Sequence, residues 1–373
     1  MTSSAPGAMG SLRRLWSWLL TNALRLLLAV IVPVITFVVL WQGFIFLRDS
    51  QAPKTIIAVV AIAWGVGGVA MLFFVTNWLV EQLPGSWVRH LQPYIFIGPA
   101  VAIIFWYLAL PAIRTFIISL YNYNSSEFVG VQNYIDVFTE RFMLEAFRNT
   151  MLWIIFGAAF SVAFGLLIAV LADRSRFEKL AKSFIFMPMA ISMVGASVIW
   201  KFVYAVRDPA DPQIGLLNAI VVALGGEPKA WIQLVQPWNN LFLIVILIWL
   251  QTGFAMVIFS AAIKGIPQEL LEAARVDGAN EIQIFFKIMI PYIMGTIITV
   301  TTTIVIFAMK IFDIVIVMTG GQFGTEVIAT QFYRQYFTNR NFGLGSAIAI
   351  VLLIAVIPVM IYNLKQFRSE EAF

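Results

Sequence analysis

Apolar residues gather along this chain into eight long runs separated by short polar segments. The runs are centred in Leu24–Leu47, Thr55–Val80, Pro93–Leu120, Thr150–Ala172, Lys182–Val206, Leu241–Ile263, Pro291–Met318 and Leu344–Leu364. A membrane-spanning helix takes about 20 mainly apolar residues, whereas the strands of an outer-membrane barrel alternate and never sustain such runs. The pattern therefore predicts an all-α polytopic membrane protein with eight transmembrane helices. The third and seventh runs exceed what a bilayer requires, which predicts tilt or helix beyond the lipid. The first run is longer than the apolar core of a signal peptide, about 7–15 residues, and no small-residue cleavage site follows it.

Composition sharpens the class. Of 373 residues, 61% are hydrophobic and 12% charged, and the mean hydropathy is +0.90. Soluble domains carry roughly 45–50% apolar and about 25% charged residues. Soluble enzymes, disordered regulators and secreted disulfide scaffolds are thereby excluded. There is no Cys, and the one His is His90. Thiolate and His-rich metal sites and His-based catalytic triads go with them, so no catalytic or metal-ligating set is predicted. The net charge of +5 needs no nucleic-acid partner, because membrane proteins concentrate Lys and Arg in their cytoplasmic loops.

Those basic residues choose the orientation. One set of loops and ends holds Arg13, Arg14, Arg25, Arg89, Arg174, Arg176, Lys179, Lys182, Lys264, Arg275, Lys287, Lys365 and Arg368. The opposite set holds Arg48, Lys54, Arg141, Arg148, Arg207, Lys229, Arg334 and Arg340, and Arg114, Lys201 and Lys310 fall within the runs. The larger set predicts that both termini are cytoplasmic, with Arg207–Asn240 outside. The loops are short and hold no large folded domain. Residues 1–11 are small and polar and are expected to be disordered. Ser86–Gln92 is expected to lie flat at the inner interface, with Trp87 as its anchor and Arg89 toward the headgroups.

One loop does not read as a linker. Between the sixth and seventh runs stands KGIPQELLEAARVDGANEIQIFFKIMIP, Lys264–Pro291. Pro267 suits a helix start, Gln268–Val276 is rich in strong helix formers, and Gly278 permits a sharp turn. Glu281–Ile288 resumes a helical pattern with Ile284, Phe285 and Ile288 on one face, and Pro291 marks the start of the next span. The reading is a helical hairpin outside the lipid. The acidic and small residues Glu272, Ala273 and Ala274 suit a groove on another protein, and a hairpin resting on headgroups fits the pattern equally.

This segment closely resembles the EAA loop of permease subunits of ATP-binding-cassette (ABC) importers. The resemblance falls on Glu272, Ala273, Ala274, Asp277, Gly278, Ala279, Phe285, Ile288 and Pro291. FVGVQNY at Phe128–Tyr134, GLLN at Gly215–Asn218 and KIFDIVIVMTGG at Lys310–Gly321 resemble the carbohydrate branch of that family, the maltose/α-glucoside type. The resemblance implies a type I importer permease fold with a cytoplasmic coupling-helix hairpin. Residues 93–373 would be the six-helix core, residues 24–92 two accessory helices and an inner linker, and residues 1–23 a cytoplasmic N-terminal segment. The maltose-type subunit carries a large folded insertion after its third span; here the interval is only Tyr121–Asn149, so docking through such an insertion is not implied.

The family likeness further implies a bacterial cytoplasmic (inner) membrane and a second homologous permease subunit. It also implies two cytoplasmic ATPase subunits and an extracytoplasmic solute-binding protein that delivers a carbohydrate. Glu272 would pair with a basic group of the ATPase, Gly278 would set the hairpin angle, and Ala273 and Ala274 would permit close approach. No Gly-Lys dipeptide occurs in the chain, so it has no phosphate-cradling P-loop. ATP and its Mg²⁺ would be bound by the partner ATPase, and no cofactor is expected here.

Candidate solute contacts are Trp249, Gln251, Thr252 and Phe254 in the sixth run and Thr303, Phe307, Lys310 and Asp313 in the seventh. They mix aromatic faces with a few polar groups, as sugar sites do. In the maltose-type subunit the sugar contacts come from these two spans. By spacing from the EAA loop, Phe307 keeps an aromatic contact and Phe254 replaces a tyrosine. Ala308 stands where the maltose binder has a polar amide, and Ile311 replaces a neighbouring contact. A smaller or differently decorated glycoside is implied rather than maltose. Lys310 and Asp313, three residues apart, are expected to share a helix face and to neutralise one another or to serve the pathway. The alternatives are import of a non-sugar, such as glycerol phosphate or a polyamine, and an ion-driven secondary transporter. The spans hold only one acidic residue, Asp313, and no His, which is little for an ion relay.

Overall fold

The structure, a computed structural model, describes residues 8–370 apart from Pro84 and Arg174, with side chains from 27 to 365. Among the described residues it is helical throughout, with a lone antiparallel bridge between Tyr121 and Phe128. Two compact units are distinguished, Met1–Pro111 and Ala112–Phe373.

The first unit holds α1 (Ala8–Asp49), α2 (Lys54–Glu81) and most of α3 (Gly85–Ile118). α1 and α2 meet where Gly43 leaves room for an indole: a Cβ there would lie 2.2 Å from Trp64. Trp64 Nε1 in turn donates to the Leu40 carbonyl at 3.0 Å. Phe73 meets Phe96 edge-on at 5.0 Å between α2 and α3. Two expectations change here. Ser86–Gln92 is no separate interfacial piece but the first turns of a continuous 34-residue helix, about 51 Å long at 1.5 Å per residue. Residues 8–11 are helical, because a helix propagates more easily than it nucleates and Leu12–Leu20 continues it. Residues 1–7 lie outside the described residues, as do the side chains of Arg13, Arg14, Arg25 and Arg368 and all of Arg174.

The second unit is built around α9 (Trp238–Lys264), whose 18-residue apolar window is 56% buried. Short α4 (Gln132–Thr139) leads into α5 (Arg141–Asp173), which starts nine residues before the predicted fourth span. α5 packs along α9 through glycines. A Cβ on Gly165 would stand 2.5 Å from that of Ala255, and one on Gly157 would stand 2.8 Å from Leu247. Trp153, Leu243, Ile244, Leu247, Ile311 and Ile314 form one buried cluster; Met256, Phe259, Ile284, Val300 and Ile304 form a second. A third joins α4 and α5 to α14 (Ile328–Tyr333) and α15 (Phe342–Glu370) through Val137, Met143, Ala146, Ile328 and Ile348.

Two predicted spans are broken. The fifth is α6 (Glu178–Phe186), a 3₁₀ turn Met187–Ala190, and α7 (Met193–Val203), with the half-spans 104° apart. Pro188 and Ser192 cause the break. Proline cannot sit inside a helix without losing a hydrogen bond, and Ser192 starts a new one by accepting the Gly195 N–H at 3.0 Å. α8 (Leu216–Ala223) then precedes α9. The seventh run divides twice. α11 (Glu281–Tyr292) meets α12 (Met294–Met309) at 72°, so the bend falls two residues after Pro291 rather than at it. α12 then stops at Lys310, and α13 (Asp313–Thr319) begins after a three-residue break. The run's extra length is taken up by a second short helix.

Candidate functional site

α9 ends at Lys264, and α10 (Gln268–Val276) starts behind Pro267. α10 stops in a Schellman motif. The Ala279 N–H donates to the Ala274 carbonyl at 3.0 Å and the Gly278 N–H to Arg275 at 3.1 Å, with Gly278 at φ +81°. Such a stop needs glycine at the left-handed position and an apolar contact across it. Ala274 and Ala279 supply that contact, half-buried against the second cluster beside Leu271 and Phe285. The chain then restarts in a capping box. Gln283 N–H donates to Asn280 Oδ1 and Asn280 N–H to Gln283 Oε1, both at 2.9 Å. Arg275 and Glu281 pair across the turn at 3.1 Å.

The nine-residue pattern thus divides by direction. Ala274, Ala279, Phe285 and Ile288 face the chain's own core, while Glu272, Ala273, Asp277, Gly278 and Pro291 are exposed. Ala274 is half-buried against the second cluster, while Ala273 is exposed. Exposed beside Glu272 and Ala273 are two apolar groups that the sequence pattern did not single out, Val276 at 87% and Ile282 at 70%. Behind the hairpin lies a cavity of about 320 Å³ reached by Asp173, Lys264, Leu271, Arg275, Glu281 and Ile284.

The solute candidates do not converge on one spot. Trp249 and Thr252 line an apolar cavity of about 420 Å³ in the elbow of the broken fifth span, with Phe164, Phe184, Pro188 and Trp200. Trp249 stands edge-on to Trp200 at 5.9 Å, and the Thr252 hydroxyl donates to the Ile248 carbonyl at 2.7 Å. Gln251 is buried, and Phe254 is half-buried against the second cluster. Thr303 and Phe307, four residues apart, share a face of α12 that ends at exposed Lys310. The Thr303 hydroxyl is engaged with Thr299 O at 2.8 Å. Lys310 and Asp313 do not share a helix face. Lys310 caps α12 and Asp313 opens α13, and among the described residues no ion pair joins them. Ile311, 2% exposed in the first cluster, is drawn into the core between them.

A polar centre that the sequence reading missed holds the loop between α13 and α14. Asn149, Asn239 and Asn240 are fully buried. Asn149 Nδ2 donates to the carbonyls of Gly324 (2.7 Å) and Glu326 (2.8 Å), and Asn239 Nδ2 donates to Phe323 O at 2.6 Å. The Thr150 hydroxyl accepts the Ile328 N–H at 3.1 Å. These bonds fix a segment with Gly320, Gly321, Phe323 and Gly324 all at positive φ. Gln236 joins the Gly324 carbonyl to Glu145, at 2.6 Å from its Oε1, and also meets Arg148. Glu326 is buried and pairs with Arg334. Burial pushes its carboxyl above the usual range, against the pull of Thr330 and Arg334. The signal was three asparagines at the ends of apolar runs, where a buried amide must find carbonyl partners.

A polytopic helical bundle with a hairpin beneath its central helix is the architecture of an importer's membrane-spanning component. Residues 161–368 match the family described as "binding-protein-dependent transport system inner membrane component", and the chain belongs to that family. Its relatives include the osmoprotective compounds uptake permease protein of Synechocystis sp., 53% identical over 277 residues, which are 74% of this chain and 99% of that one. The α-glucoside transport system permease protein of Rhizobium meliloti is 50% identical over 283 residues, 76% of this chain and 84% of that one. In fold the chain resembles a subunit of a bacterial alginate ABC transporter solved with an alginate pentasaccharide-bound periplasmic protein. The TM-score is 0.64 at 20% identity, over 74% of this chain and 93% of that one.

Proposed function

We propose that this chain is one of two permease subunits of an ATP-driven importer for a small carbohydrate of the α-glucoside class. A solute-binding protein delivers the sugar to its outer loops. The observation that carries the reading is the hairpin. Its glycine stop and capping box hold Glu272, Ala273, Asp277 and Val276 outward, while its inner face is packed on α9 and α12 through the second cluster. Such an element is a rigid handle for an external motor. Two soluble ATPase subunits would grip it, hydrolyse ATP with their own Mg²⁺, and bias inward- and outward-facing states through it. The excess of basic loop residues supports a cytoplasmic position for both termini and the hairpin, and membership of a family of inner membrane components supports a bacterial inner membrane. Relatives named for α-glucosides and for osmoprotective compounds, both at about half identity, support the substrate class.

The test is reconstitution with the partner permease, ATPase and binding protein. Glu272→Ala and Gly278→Pro are expected to abolish uptake while the chain still inserts, and normal transport by both would overturn the coupling role. Binding-protein-stimulated ATP hydrolysis, screened across α-glucosides, glycosylated polyols, polyamines and glycerol phosphate, identifies the solute. Stimulation by glycerol phosphate or a polyamine alone would move the assignment to a non-sugar. Uptake by this chain alone under an ion gradient would replace the ATP-driven reading altogether.

A further inference from the structure

The hairpin's root is tied to a different span by a set of charges that the pattern of the EAA loop does not include. Lys182, on α6, reaches Asp173 at the end of α5, Glu178 one turn before it (2.5 Å) and Ser260 on α9. The Ser260 hydroxyl donates to Asp173 Oδ1 at 2.7 Å. Lys264, the last residue of α9 before the hairpin, pairs with the same oxygen of Glu178. Two cations and two carboxylates are therefore balanced across three elements. They are graded in exposure from Asp173 (12%) and Lys182 (18%) to Lys264 (54%).

What lies beyond α6 gives this cluster a consequence. α6 ends in the break at Met187–Ala190, and the elbow it forms with α7 lines one side of the open 420 Å³ cavity. The inner half-span thus has a break in its α-helix at one end, an apolar pocket against Phe184 and Ile185, and a charged tie to the hairpin at the other end. The covered part of the set, Lys182 with Asp173 and Ser260, is costly to break and so fixes geometry, while the half-exposed Lys264–Glu178 pair adds little stability and extends the tie to the hairpin root. We infer that Asp173, Glu178, Lys182, Ser260 and Lys264 form an ionic pin that makes α6 move with the hairpin root, swinging about Pro188–Ser192 into the elbow cavity. The pin residues are assigned a positioning role. The inference rests on the coupling role assigned to the hairpin.

The test uses the full reconstituted transporter. Lys264→Glu is expected to lower uptake about tenfold, within the usual range of coupling effects, while the ATPase still co-purifies with the membrane subunits. Adding Glu178→Lys, which restores an opposite pair, is expected to recover it. Because the chain has no Cys, Glu178→Cys with Lys264→Cys gives a unique thiol pair. A short bifunctional thiol reagent across that pair is expected to leave uptake at the level of the unreacted double variant, since pinned elements do not separate. Arrest of uptake on cross-linking would overturn the pin, as would a Lys264→Glu protein with full uptake. If Glu272→Ala arrests uptake and these variants do not, the pin fails alone. If Glu272→Ala itself transports normally, the hairpin reading fails first.

Discussion

α2 and α9 are equally apolar, with window hydropathies of 2.4 and 2.5, yet 0% of one window and 56% of the other is buried within the protein. Hydropathy reports the solvent a helix tolerates, not the partner it has. In a bilayer a leucine gains nothing by moving from lipid to a neighbouring helix except better packing. α2 meets its neighbours at a few points such as Trp64 and Phe73. α9 instead carries Gly253 and Ala255 where other backbones approach within van der Waals contact. Small residues alone do not mark the interior, since α2 has Gly65 and Gly67 facing open space; the difference is that Gly253 of α9 has the Ile185–Phe186 backbone against it.

The largest expected break in that comparison comes from adding bulk at a close approach. Gly165→Leu places side-chain atoms where Ala255 Cβ and the Met256 backbone nitrogen already stand. Overpacking costs about 1–3 kcal/mol where a core can shift, and here part of the obstacle is backbone. Thermal unfolding in detergent is expected to fall sharply or the protein to be lost on extraction. An unchanged midpoint would show that α5 and α9 are not in contact.

Next in size is Asn149→Ala, which takes the Asn149 amide donor from the Glu326 carbonyl and leaves the Gly324 carbonyl to Gln236 and Asn240. An unsatisfied buried group costs about 1–3 kcal/mol. Faster proteolysis or hydrogen exchange confined to residues 320–327 would report it, and unaltered exchange would remove the clamp from the account.

Smaller still is a pH effect at Glu326. Its folded-state pKa is raised by burial, so the folded chain holds the proton more tightly than the unfolded one. Its contribution to stability is therefore full below the ordinary carboxylate pKa and is lost as pH rises through the raised value. Glu326→Gln should flatten, relative to the parent, the fall in unfolding midpoint as pH rises above the ordinary carboxylate range. Parallel profiles for the two proteins would contradict the assignment. The smallest expected effect is that of Gly65→Leu on α2, which has nothing within 4 Å of its Cβ position. A midpoint as low as that of Gly165→Leu would erase the distinction between the two helices.

Much of this was legible in the chain. Eight spans follow from run length, and the hairpin follows from Pro267, the helix formers of Gln268–Val276 and Gly278. Loop residues assigned to one side also meet one another: Lys182 with Lys264 around Glu178, and Arg148 with the loop that carries Arg334 through Gln236 and Gly324. The break in the fifth run was written in Pro188 and Ser192, inside a run whose hydropathy concealed them. The break at Lys310 had no proline or glycine to announce it. It depends on Ile311 finding the first cluster while Lys310 stays exposed, which is a property of packing. Spacing alone put Lys310 and Asp313 on one face because it assumes a continuous helix.

The sequence by itself determined the medium, the number of spans and the presence of a capped helical hairpin, because each depends on local composition and short-range hydrogen bonding. Tertiary structure decided which of the equally apolar helices is the core and where two spans break. It also decided which motif alanines face inward, and it assembled the asparagine clamp and the ionic set beneath α6. Those features join residues up to 178 positions apart. A buried amide or carboxylate acquires its meaning only from the partner that folding brings to it.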